Sequence, residues 1–93
     1  MGKRARVRPR RLAEKLTRIR EALGLSQSDL LRRLEAEDQI DYTAISKYEL
    51  GRNEPSLIVL LQYARVAGVH VEDLINDKAN LPDKLPGRVK HKA

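Results

Sequence analysis

The side chains in this 93-residue chain that can do chemistry are mostly cationic. Residues 1–20 hold Lys3, Arg4, Arg6, Arg8, Arg10, Arg11, Lys15, Arg18 and Arg20 against Glu14 alone, a charge of +8. Lys84, Arg88, Lys90 and Lys92 add +4 over residues 84–93. The middle, 21–83, carries six basic and twelve acidic residues, a charge of −6. The pI near 10 therefore comes from the ends. Lys and Arg clustered at a terminus are the footprint of a polyanion binder, and a solvated tail is the competing reading. Other chemistries lack material. The absence of Cys excludes a disulfide scaffold, a thiolate zinc site and a Cys nucleophile. His70 and His91, 21 positions apart, do not build a catalytic metal site alone. No nucleophile–base–orienter set is present, so neither catalysis, metal nor cofactor is expected.

Cationic side chains act only where the fold places them, and the spacing of apolar residues predicts helices. Leu12, Leu16, Ile19 and Leu23 recur at i, i+4, i+7 and i+11. Pro9 suits a first turn and Gly24 a left-handed stop, giving a first helix over about 10–23. Ser26 caps a second, about 27–35, with Asp29 three residues on, Leu25 and Leu30 placed as a staple, and Leu30, Leu31 and Leu34 facing inward. Residues 36–41 read as a connection. Asp41 caps a third helix, about 42–50, with Ala44, Ile45 and Tyr48 facing inward and Gly51 ending it. Ser56 caps a fourth over about 57–67, which Gly68 stops. Val71, Leu74 and Ile75 suggest a short fifth, begun by His70. No strand pattern competes, and there is no internal repeat. The chain is expected to divide into a basic arm (1–9), a helical domain (10–76) and a flexible tail (77–93). No apolar run approaches the roughly 18 residues of a membrane span, and no signal peptide follows the basic start, so a soluble, cytoplasmic protein is expected.

The ordered set Leu-Gly-Leu-Ser-Gln (23–27), Ile-Ser-Lys-Tyr-Glu-Leu-Gly-Arg-Asn-Glu-Pro-Ser (45–56) and Leu-Leu-Gln-Tyr-Ala-Arg-Val-Ala-Gly-Val (60–69) resembles the Cro/C1-type helix-turn-helix family. The match runs from Leu16 to Ile75. The resemblance implies an all-α, five-helix, lambda-repressor-like domain whose third helix lies in the DNA major groove, the groove that distinguishes all four base pairs. It implies base contacts from Tyr42, Thr43, Ser46 and Lys47. It implies backbone contacts from Ser26 and Gln27, where the second helix starts, and from Arg52 and Asn53 in the turn after the third. Arg20 and Glu49 match a structural ion pair. Tyr48 and Tyr63 match core positions. Arg4, Arg6, Arg8, Arg10 and Arg11 are expected on phosphates or in a minor groove.

Two features depart from the family pattern. The connection between the second and third helices is about four residues longer than the usual turn, and carries Glu35, Glu37 and Asp38 where a Gly is normal. The helical middle is acidic, which leaves the arm to supply attraction to phosphates. Family members bind as homodimers on half-sites about 34 Å apart. Ile58, Val59, Val71 and Ile75 are the candidate dimer residues, with packing inside the monomer as the alternative. The expected function is a DNA-binding transcriptional repressor, nucleoid-associated in a bacterium or phage by resemblance. The alternatives are an antitoxin that binds an operator and, through residues 76–93, a toxin, or an adapter that binds protein or RNA.

Overall fold

A computed structural model describes residues 7–89. Five α-helices follow one another: α1 (Leu12–Leu23), α2 (Gln27–Leu34), α3 (Tyr42–Glu49), α4 (Leu57–Ala67) and α5 (Val71–Ile75). A 3-10 turn, Pro86–Val89, closes the described chain. No strand occurs among the described residues. Each apolar stripe turns inward: Leu16 and Ile19 from α1, Leu30 from α2, Ile45 from α3 and Tyr63 from α4 are fully buried. Burying such side chains is what holds short helices, marginal on their own, in place. α1 packs on α3 and α5, α2 on α3 and α4, and α4 on α5 and the 3-10 turn. The described residues form a small all-α domain in which α2 and α3 follow one another and pack together.

Side-chain caps set three of the helix starts. Ser26 Oγ accepts from Asp29 N–H at 3.0 Å, and Ser56 Oγ from Val59 N–H at 3.2 Å. Asp41 accepts from Thr43 N–H and Ala44 N–H at 3.0 and 3.3 Å. Each satisfies donors that a helix start leaves open. α1 differs. It begins at Leu12 rather than at the expected residue 10, and Arg11 offers it no side-chain cap. The cap comes instead from Asp77, whose carboxylate takes Arg10 N–H at 2.9–3.0 Å and Arg11 N–H at 3.1 Å. Those bonds hold the backbone at 10 and 11 outside the helix.

The segment after α5 belongs to the core as far as residue 85. Leu81 and Leu85 are buried with the helical residues. Gly87 lies so close to α4 that a Cβ there would sit 2.0 Å from the Val66 carbonyl oxygen. Lys15, itself buried, donates its Nζ to the carbonyls of Asp73 and Asn76 at 2.7 and 2.9 Å, around the C-terminal end of α5. Burial pulls that amine below the ordinary lysine range. The boundary expected at 76 marked the end of helical periodicity. It did not mark the end of packing, because a loop that buries two leucines has no period to reveal it.

The long connection is ordered by local means. α2 ends at Leu34, and Glu35 takes the left-handed conformation (φ 57°) in the place where a Gly is usual. Ala36 is buried, and its carbonyl accepts from Gln39 and Ile40 N–H, turning the chain toward Asp41. Glu37 and Asp38 remain exposed on the tip.

Candidate nucleic-acid interface

α3 is held by one face and offers the other. Ile45 and Tyr48 are buried, and the Tyr48 ring meets Tyr63 edge-on at 6.5 Å. Burial of both rings pushes their hydroxyls above the ordinary tyrosine range. The opposite face carries Tyr42 (55% exposed), Thr43 and Lys47, with Ser46 half-buried at its margin. Leu50, exposed just past the end of α3, lies one turn beyond Ser46 and Lys47. It was not among the expected contacts. Thr43 has a second engagement: its hydroxyl donates to Asp41 at 2.5 Å, and that bond is the largest influence holding the Asp41 carboxyl below its usual range. Its methyl group makes no such bond.

A bidentate ion pair fixes how α3 sits. Arg20 Nε and Nη2 donate to the two oxygens of Glu49 at 2.7 and 3.0 Å, and Arg20 Nη1 donates to the Leu25 carbonyl at 3.0 Å. The side chains are 20% and 8% exposed. The hydrogen bonds to Glu49 raise the already high pKa of the guanidinium. Gln27 Nε2 donates to the same carboxylate at 3.2 Å. One carboxylate thus ties α1, the start of α2 and the end of α3 together. Gln27, expected on a phosphate, turns its amide nitrogen to Glu49. Ser26 Oγ is engaged by the cap of α2.

The turn after α3 is closed by the Lys47 carbonyl, which accepts from Arg52 and Asn53 N–H at 2.9 and 3.4 Å. Gly51 takes φ 75° to make this turn, a conformation glycine adopts without strain. Both side chains, Arg52 and Asn53, are exposed. They open onto a surface groove of about 730 Å³ that Arg8, Glu54 and Ser56 also line. Arm and turn therefore meet at one place. Arg8 Nε donates to Glu54 Oε2 at 3.1 Å. Arg10 is exposed. Arg11, grouped with the arm on sequence, is turned into the fold: its Nη1 donates to the carbonyls of Asp77 and Ala79 at 2.9 and 3.2 Å. Arg4 and Arg6 lie outside the described residues. The contacts made by Glu54, Asp77 and Lys15 were not expected from the sequence, since nothing in spacing joins residue 8 to 54, residue 11 to 77 or residue 15 to 76.

Among the expected dimer residues, Val59 is a core residue, fully buried on the inner face of α4. Val71 packs against the core, while Ile58 and Ile75 are exposed. No group of three or more His, Asp or Glu that could hold a metal occurs among the described residues. No helix among them is long and apolar enough to cross a membrane.

A family model for the helix-turn-helix matches residues 16–74, from the second turn of α1 through most of α5. The chain belongs to the Cro/C1-type helix-turn-helix family, and with it to the DNA-binding proteins of the transcription-regulator kind. No curated protein matches it.

Proposed function

We propose that the chain is a sequence-specific transcriptional repressor that reads the major groove with α3 and binds as a homodimer. The carrying observation is the two-sidedness of α3: Ile45 and Tyr48 anchor it, which leaves Tyr42, Thr43 and Lys47 outward. An α-helix fits the major groove. Lys47 suits guanine N7 and O6, and the Thr43 methyl suits thymine, since the Thr43 hydroxyl already serves Asp41. Ser46, half-buried, is a marginal contact. Ser26 and Gln27 bring the N–H groups of the α2 start to a phosphate, a role that survives the engagement of both side chains. Arg52, Asn53, Arg8 and Arg10, with Arg4 and Arg6, contact the backbone. Occupying a promoter is sufficient for repression. The proposal requires the exposed Glu37 and Asp38 ahead of α3 to lie away from phosphates, which would repel them.

One module reads roughly four to six base pairs, so selectivity calls for two. Exposed Leu57, Ile58 and Ile75 supply apolar surface for a second copy. An antitoxin reading gave residues 76–93 to a toxin, but Leu81 and Leu85 are taken up by the domain itself. Selection of bound duplexes from a random library tests the proposal. It should return two related half-sites about one helical turn apart. A library recovered without enrichment would overturn it, and a single half-site would remove the dimer.

A further inference from the structure

The basic arm meets the domain at a carboxylate. Arg8 pairs with Glu54 across 46 residues of sequence, with side chains 46% and 20% exposed. Glu54 follows Arg52 and Asn53 directly, and all four side chains line the same open groove. The chain behind Arg8 is pinned by the bonds of Arg10 N–H and Arg11 N–H to Asp77. Arg8 is therefore kept beside the turn proposed to grip a phosphate, and the oxygen it holds there is a carboxylate oxygen. A guanidinium takes a carboxylate or a phosphate with the same donors.

We infer that Glu54 is an internal competitor for Arg8: on binding, the guanidinium exchanges Glu54 for a DNA phosphate, and Glu54 thereby sets the sequence-independent part of the affinity. This rests on the DNA-binding reading and adds to it a residue that works against binding. An exposed ion pair corresponds to about a twofold to fivefold factor in an equilibrium. Each phosphate neutralised adds about 0.9 to the slope of log affinity against log salt, and Arg8 neutralises one in the complex with or without Glu54, so Glu54 changes the affinity and leaves the slope.

The test is a titration of the full chain with a labelled duplex of arbitrary sequence over a range of salt. Four proteins are compared: wild type, Glu54→Gln, Arg8→Gln and the double variant. Glu54→Gln should bind about twofold to fivefold tighter at a given salt, with the slope little changed, since Arg8 neutralises the same phosphate in both proteins. In the Arg8→Gln background the same change should gain far less. Glu54→Ala repeats the comparison should the Gln variant fold poorly. An equal or larger gain without Arg8 would overturn the exchange, since Glu54 would then act by some route other than Arg8. Weaker binding by Glu54→Gln would overturn it too, by making Glu54 a positioning partner. The two readings fail differently. A wild type that binds no duplex at low salt ends the DNA-binding reading itself. Binding that weakens on Lys47→Ala, yet shows no gain that depends on Arg8, ends the exchange alone.

Discussion

Glu49 is the residue on which most of the interface geometry converges, because a single carboxylate receives Arg20 twice and Gln27 once. Its pairing is largely shielded from water, so removal of either partner strands a charge. Glu49→Ala should therefore cost roughly 3 kcal/mol of stability, the low end for a buried pair broken on one side. For a domain of this size that is a fall in Tm of more than about 10 °C by calorimetry, and an unchanged Tm would show the pair to be ornamental. The pair was legible from the motif around residues 45–56. Gln27 was legible as a site but not as a partner of Glu49, because its amide sits 22 residues away and no pattern announces a three-membered network.

At the scale of elements, α4 follows the apolar spacing closely, and α2, α3 and α5 do so to within a residue or two. What escaped was whatever depends on contact between distant segments. α1 starts late because Asp77 holds residues 10 and 11, and the fold continues past α5 because Leu81 and Leu85 fill it. Leu85→Ala should destabilise by about 2–5 kcal/mol, the range for a buried leucine truncated in a core. Residue 85 would behave as flexible tail if chemical denaturation detected no change. Asp77 carries a pH signature. Bonds from Arg10 and Arg11 N–H hold its carboxyl below the usual range. A depressed carboxylate stabilises the fold above its unfolded pKa, and that contribution is lost as pH falls through the lower folded value. Asp77→Asn should therefore melt below wild type near neutrality, with the two curves converging as pH drops from about 4 toward 2. A gap that stays constant with pH would mean that the charge of Asp77 is not involved.

Across the whole molecule, charge and fold are separated. Residues 1–20 carry +8 and residues 84–93 +4, against −6 over 21–83, and because Arg11, Lys15 and Arg20 are engaged inside the domain, the cations free to attract a duplex are expected mainly before residue 11 and after residue 83. Replacing Arg4, Arg6, Arg8 and Arg10 with Gln should flatten the slope of log affinity against log salt by about 0.9 for each phosphate that is no longer neutralised. Base preference should be retained, because α3 is untouched. An unchanged slope would confine the arm to solubility. Arg11 is left out of that set because its guanidinium holds the carbonyls at 77 and 79.

If the outer face of α3 meets base edges, Lys47 is the side chain on it best able to show this. Affinities of wild type and Lys47→Ala should be measured on the selected half-site and on its single-base-pair variants. Loss of the ammonium should cost about 1–3 kcal/mol on the preferred sequence and erase discrimination at one base pair only. A uniform loss over every duplex would make Lys47 a phosphate contact. An unaltered profile at all positions would contradict α3 as the reading element.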